Sequence, residues 1–299
     1  MRLVSKPLVV AIAVLAAALV VAGCGSSKKK SESSGAGKSG AVGANLDVTI
    51  TESGKAAKYT VPKSTRGGLA TLTATNKGKA PHSAQLVRIV GNHSAAEALK
   101  VVASDSKKTP QWVRAEGGLG AVAPNQSANA SLKLDPGKYI VADTNGPGGG
   151  PPGYAEFTVG GATPGSLPTT STTVTADETG KDKWRWDISG GLKSGQQDIT
   201  FASKGKNTFH LIVAFKIKGK APSQDELIKG LKSGGNGPPP KFVDTSSFTS
   251  TAVLDGGKSQ TTPLELKGPG KWVLFCPVTD RDGGKEHFLE GLVKQVDVK

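Results

Sequence analysis

Few residues in this chain could do chemistry. The 299 residues include two cysteines, four histidines and a single methionine, Met1. Cys24 closes an apolar run near the start, and Cys276 lies in the last third. Cys276 and His287 are separated by a stretch containing the turn Asp280-Arg281-Asp282-Gly283-Gly284, and His210 stands far upstream at the start of a predicted strand. Thiols and imidazoles are donors that transition metals accept. A thiol can also be a nucleophile, or be buried and inert, and spacing alone leaves all three roles open, with the neighbouring histidines favouring the first. Two cysteines do not make a disulfide scaffold. No Ser/His/Asp arrangement or pair of carboxylates stands out, so the chain is not expected to be an enzyme.

The N-terminus reads as a targeting segment. Arg2 and Lys6 precede the unbroken apolar stretch from Leu8 to Ala22. That stretch is short for a membrane-spanning helix and suits the apolar region of a signal peptide. It ends in Val21-Ala22-Gly23-Cys24, which resembles the lipobox of bacterial lipoproteins. The resemblance implies a signal peptide over 1–23, cleavage before Cys24, and acylation (palmitate among the chains) of that cysteine. The protein would then sit outside the cytoplasm, held to the cell membrane by its acyl chains. Residues 24–44, rich in Ser, Gly, Ala and Lys, read as a flexible tether. With Cys24 acylated, Cys276 has no partner for an intramolecular disulfide.

From residue 45 onward the chain reads twice. Leu72-Thr73-Ala74-Thr75-Asn76-Lys77-Gly78-Lys79 corresponds to Ile199-Thr200-Phe201-Ala202-Ser203-Lys204-Gly205-Lys206. His82 and His210 follow, each six positions before a basic residue, Arg88 or Lys216. Then come two capping boxes, Ser94-Ala95-Ala96-Glu97 and Ser223-Gln224-Asp225-Glu226, each announcing a short helix. Ala98, Leu99 and Val102 in one copy, and Leu227, Ile228 and Leu231 in the other, set one buried helix face. Each copy closes with a strand, a Pro-Gly turn (Pro136-Gly137, Pro269-Gly270) and two further strands, the last over Tyr154 to Val159 or Leu292 to Val298. Trp184 and Trp186 alternate and face one side of a strand, by default the core. The fold class is therefore mainly β, with two tandem Greek-key β-sandwiches, each carrying one short inserted helix. The first domain spans 45–161, the linker 162–171, and the second domain 172–299.

The second copy resembles the cupredoxin-like fold of exported bacterial proteins. The resemblance lies in a His after a turn, a capped helical insertion, and a terminal pattern of Pro-Gly-x-Trp, Cys276, Asp282-Gly283, His287 and Gly291. It implies that His210, Cys276 and His287 bind copper, and that the protein transfers electrons to or from a redox partner. Where the family carries an axial Met after that last Gly, this chain has Leu292. In the first copy the aligned position of Cys276 is Asp143, and the loop after it has no His. The first domain is therefore expected to lack the site, with His82 a turn or edge residue. The other reading is a metal-free binding or envelope-structural module on the same scaffold.

Composition narrows the partners. The formal net charge is +14, with 38 Lys and Arg against 24 Asp and Glu. An exported basic protein with few aromatics and no arginine-rich stripe fits lipid surfaces or wall polymers, and no nucleic acid partner is expected.

Overall fold

The structure is a computed structural model that describes residues 43–54, 56–104, 106–144, 152–233 and 238–299. The leader, Cys24, nearly all of the tether and most of the Gly/Pro loop after Thr144 lie outside the described residues. Among the described residues no helix is long and apolar enough to cross a membrane.

The chain is mainly β. Its first half contains β1 (Ala44–Ser53), β2 (Ala56–Thr60), β3 (Ser64–Asn76), β4 (His82–Ile89), α1 (Ala95–Val102), β5 (Val113–Val122), β6 (Gln126–Leu134), β7 (Gly137–Ala142) and β8 (Tyr154–Thr163). The second contains β9 (Thr173–Gly180), β10 (Lys183–Ser189), β11 (Gly195–Ser203), β12 (Phe209–His210), β13 (Val213–Lys216), α2 (Gln224–Ser233), β14 (Thr249–Ser250), β15 (Leu254–Asp255), β16 (Ser259–Leu266), β17 (Gly270–Phe275) and β18 (Val293–Val298).

The sequence repeat is a repeat of pairing. β1 is antiparallel to β2 and parallel to β3, as β9 is to β10 and β11. β3 pairs with β6 as β11 does with β16, and β4–β7–β8 runs like β13–β17–β18. Even a side-chain bond recurs: Tyr139 Oη donates to the Asp135 carbonyl at 2.8 Å, and Trp272 Nε1 to the Gly268 carbonyl at 3.2 Å. Each bond pins the first strand after the Pro-Gly turn to the turn itself.

Alternation of side chains along the strands builds the cores. In the first half Leu46, Val48, Leu72 and Leu132 face Leu86, Leu119, Tyr139 and Val141 in one buried cluster. In the second half Val174, Trp186, Phe201 and Leu264 face Ala214, Trp272, Leu274 and Cys276. Each helix covers the outer face of its β4- or β13-containing layer. Ala95 and Ala98 of α1 pack with Val87, Ile89 and Ile140, and Leu227 of α2 packs with Phe215, Val273 and Phe275. Both capping boxes form. Ser94 and Glu97 bond reciprocally, and Ser223 N–H donates to Glu226 while Glu226 N–H donates to Ser223 Oγ.

β3 serves both layers of the first half by bending at Gly67–Gly68. Its start pairs with β8 and its remainder with β6. Gly68 has φ +79, and a Cβ there would stand 1.9 Å from the Thr163 carbonyl oxygen, so the bend requires glycine. β8 runs through Thr163, which makes the first residues of the expected 162–171 linker part of a strand. The rest of the connector is held by side-chain bonds: Thr261 Oγ1 to the Pro168 carbonyl, and Thr170 Oγ1 to that of Thr172.

The halves share hydrogen-bonded strands. Equivalent edge strands β6 and β16 pair antiparallel, Leu132 opposite Gln260 and Ser131 opposite Thr261, making one sheet β2-β1-β3-β6-β16-β11-β9-β10. Antiparallel pairing of like edges is what two-fold symmetry produces, and it leaves neither edge unpaired. β15 adds to β5, Leu254 opposite Glu116. Buried polar side chains cross the same junction. Gln85 donates to the Val253 carbonyl at 3.0 Å and accepts from Val253 N–H at 2.7 Å, and Gly118 N–H donates to Gln260 at 2.8 Å. Buried Glu116 is neutralised by Arg88 at 2.7 Å and by Lys258 of the other half at 2.8 Å.

Candidate metal centre

His210, Cys276 and His287 come from three separate elements. His210 ends β12, whose partner β15 sets its register, His210 opposite Leu254. Cys276 follows β17, as Asp143 follows β7. His287 opens the short 3-10 turn His287–Glu290. Backbone bonds close the base of the Cys–His loop: Cys276 N–H to the Leu292 carbonyl at 3.0 Å, Phe288 N–H to the Cys276 carbonyl at 2.9 Å, and His287 N–H to the Val278 carbonyl at 2.8 Å. The turn ends at Gly291, in a left-handed conformation (φ +110) where a Cβ would meet the Trp184 carbonyl oxygen at 2.3 Å. Glycine there lets the turn lie against β10.

The three side chains converge. One ligand atom from each lies within 4.8 Å of the others, and all three residues are buried. Cys276 Sγ is 3.9 Å from His210 Nδ1 and 3.6 Å from His287 Nδ1. With about 2.3 Å to a thiolate sulfur and about 2.0 Å to an imidazole nitrogen, a trigonal ion spaces S and N by about 3.7 Å. The observed separations lie close to that spacing and to the about 3.5 Å of a tetrahedral ion, so the number of donors separates the two. Among the described residues the group has no carboxylate member. Zinc normally takes four ligands in tetrahedral array, whereas two imidazoles and a thiolate in a trigonal set suit copper.

The surroundings prepare the donors. Burial, then the nearby positive charge of His287, pushes the His210 pKa down to about 3, so its imidazole is neutral and keeps a lone pair. Burial also opposes the charged form of His287. Its hydrogen bond to Asp280 and its contact with Cys276 overcome this, and its pKa rises to about 9. His287 Nε2 lies 3.2 Å from Asp280 Oδ1 and 3.5 Å from Thr208 Oγ1. The carboxylate holds one proton on Nε2, so the proton that leaves when His287 becomes neutral is the one on Nδ1, and its lone pair then faces the thiol, the second-sphere arrangement of metal-bound histidines. His210 Nε2 has no hydrogen bond of good geometry, although the Lys204 carbonyl is close enough to raise its pKa somewhat. Trp184 forms the wall, its ring centroid 4.4 Å from that of His210 and 5.4 Å from that of His287.

The first half shows what stands at the matching place. His82 opens β4 directly after the turn, and is buried. Its Nδ1 lies 2.7 Å from Asp143 and its Nε2 2.9 Å from Glu52. Both ring nitrogens are engaged by carboxylates, and neither faces a thiol. Asp143 is buried and Glu52 half-buried; β1 and the residue after β7 bring them to His82 from positions distant in sequence. His93, also of the first half, stacks on Trp112 with centroids 3.9 Å apart, far from any such cluster.

The sequence pattern names the three ligand candidates but misses the groups that support them. Asp280 and Arg281 read only as part of a turn, and Trp184 only as core. The one available signal was the position of Asp280 inside the Cys–His loop.

No family model matches the sequence, and no curated protein does. Solved structures similar to this chain include a multicopper oxidase, at 14% identity over 85% of this chain and 88% of that one, TM-score 0.23. A dithionite-reduced auracyanin from the photosynthetic bacterium Roseiflexus castenholzii is 20% identical over 42% of this chain and 94% of its own, TM-score 0.28. Auracyanin B is 17% identical over 45% and 93%, TM-score 0.29. All three TM-scores are low, so the chemistry of the site rests on the side chains themselves.

Proposed function

We propose that this protein is an extracytoplasmic copper lipoprotein. It has two Greek-key, cupredoxin-like halves, of which the second, 172–299, binds one copper ion through His210, Cys276 and His287. The observation that carries the reading is the convergence of both Nδ1 atoms on one buried thiol, at trigonal spacing, from three elements. Copper in such a set supplies one-electron transfer. His210 and His287 would bind it as neutral imidazoles and Cys276 as thiolate, while Asp280 orients His287. Leu292 is buried in the same cluster as Cys276 and offers no donor, so the set stays at three. Burial of all three ligands keeps water out. The role we infer is electron exchange with a redox partner, which the burial of all three ligands favours.

The first half, with His82 enclosed by Asp143 and Glu52, binds no copper in this reading. Cys24, acylated after removal of 1–23, anchors the protein to the membrane through the tether 24–44.

The test is Cu(II) titration of the full chain in detergent, followed by visible absorption. One equivalent should bind with an intense thiolate-to-copper band, and Cys276→Ser should abolish the band. Uptake unchanged by that substitution, or no uptake, refutes the site. A metal-free binding or envelope-structural module would then be the better description.

A further inference from the structure

The half without a site has a use that its own residues do not reveal. We propose that Arg281 is a positioning residue through which the first half holds the Cys276–His287 loop in its metal-binding shape. The proposal rests on the copper reading above and adds a role for the first half.

Arg281 lies within the ligand loop, yet its side chain is buried at the junction between the halves. One terminal nitrogen donates to the Val113 carbonyl at 2.8 Å and to the Pro110 carbonyl at 3.1 Å. The other donates to Asp255 Oδ1. Asp255 is itself fully buried and bonded at 2.6 Å by Arg114 Nε from β5 of the first half. The Phe209 ring, next to His210, lies 5.3 Å from the guanidinium carbon. The backbone of Arg281 is fixed as well. Its N–H donates to the Asn207 carbonyl at 3.2 Å, and its carbonyl accepts from Thr109 N–H of the first half at 2.8 Å.

A guanidinium has donors in a rigid plane and no acceptor. Bonding two carbonyls and a carboxylate at once fixes the plane of the guanidinium, with Nε left buried and unbonded, and the two backbone bonds fix the main chain that carries it. The preceding residue is Asp280, whose carboxylate holds His287 Nε2. The peptide unit thus links the buried anchor to the second-sphere bond one residue away. Further contacts brace the loop along the same strip: Thr279 Oγ1 to the Lys107 carbonyl at 3.3 Å, and Lys107 Nζ to Glu286 at 3.4 Å. The loop's own backbone bonds close its base and its turn, but its tip contains Gly283 and Gly284 at positive φ and no element longer than a turn, so the contacts with the first half add the order that its own bonds do not supply.

A buried ion pair is by itself weak grounds for a functional role, because such pairs often only fill space at a neutral balance. The test must therefore separate positioning from mere stability. Three variants of the full chain in detergent serve. Arg281→Lys keeps the charge and loses the planar fork. The double variant Asp255→Asn, Arg281→Gln removes both charges together. Thr109→Pro removes the N–H that binds the Arg281 carbonyl, from the first half, and also fixes φ at 109 and restricts residue 108, so the melting temperature is read beside it. The readouts are the Cu(II) dissociation constant by chelator competition, the visible spectrum of the loaded protein, and the melting temperature.

Outer-sphere partners typically contribute about 10–100-fold in metal affinity. Each variant that folds should therefore bind copper more weakly, by up to about the tenfold expected for losing the Asp280 bond itself, with a displaced or weakened thiolate band. Asp280→Asn should also cost less in the Arg281→Lys background than alone, because the two act in series. A lowered melting temperature with unchanged affinity and spectrum in the folded variants would overturn the proposal and leave Arg281 a stability residue. A wild-type chain that takes up no copper would overturn the copper reading itself, and this assignment with it.

Discussion

Replacing Asp280 first by asparagine and then by alanine should weaken copper binding in two steps. Asp280 Oδ1 accepts from His287 Nε2 at 3.2 Å. A hydrogen bond to a charged group contributes about 1.5–3 kcal/mol, and a neutral one about half of that. The Asp280 side chain is 31% exposed, so water replaces part of what is lost and the low end applies. The Asp280→Asn variant would keep a neutral acceptor at a loss of about 0.7 kcal/mol, or about threefold. Asp280→Ala would lose about 1.5 kcal/mol, or about tenfold. Protons compete with the metal for His287, whose pKa is raised to about 9 with Asp280 as the leading upward influence. Wild-type affinity should therefore climb as pH rises from neutrality towards about 9, where the imidazole sheds its proton. The alanine variant, with a lower His287 pKa, should climb less. The gap between the two is thus widest in alkaline solution, where only the lost orientation counts. Chelator competition at neutral and alkaline pH measures it. Equal dissociation constants for all three proteins at alkaline pH would refute the claim that Asp280 orients His287.

Four further outcomes follow from the structure. Cu(II) binding should quench tryptophan fluorescence, and Trp184→Phe should remove most of that quenching, because Trp184 packs on both ligand rings; equal quenching in the variant would contradict this. Leu292→Met would place a thioether in the buried cluster beside Cys276, and since sulfur donation favours the oxidised ion, voltammetry should show a lower reduction potential; a potential that is unchanged or higher would count against an open fourth position there. Gln85→Leu strips the acceptor from Val253 N–H and the donor from three carbonyls at the junction, and should cost about 2–4 kcal/mol in urea unfolding; a cost under about 1 kcal/mol would mean that the halves are not coupled there. Cys24→Ser should move the protein from the membrane to the soluble fraction, and continued membrane partitioning would argue against acyl anchoring.

Much of the architecture was written locally. The two capping boxes, the two Pro-Gly turns and the parallel order of strands are short-range signals, and each appears where its spacing put it. The buried faces also follow from alternation, down to Trp184 and Trp186 both pointing into the core. The ligand candidates His210, Cys276 and His287 were legible because few residues of those types exist, and their order along the chain repeats the resemblance. His82 was not legible as buried: its environment comes from Glu52 and Asp143, distant in sequence, and a lone imidazole before a strand carries no mark of either.

What the sequence determined by itself is therefore the repeat, the β-rich layers with one capped helix each, and the residue types from which a metal centre could be made. Hydrophobic period, caps and turns act over a few residues, so a single copy of the pattern is sufficient to specify them. Only the tertiary structure decided that the halves join through β6 and β16, because an edge strand's alternation specifies which face is buried and not which edge it meets. Only it decided that Cys276 and His287, with ten residues between them, face the same imidazole, and that Arg281 reaches from its loop to Asp255 and to two carbonyls of the first half. Those outcomes depend on where distant backbone carbonyls and carboxylates come to rest, which no local spacing encodes.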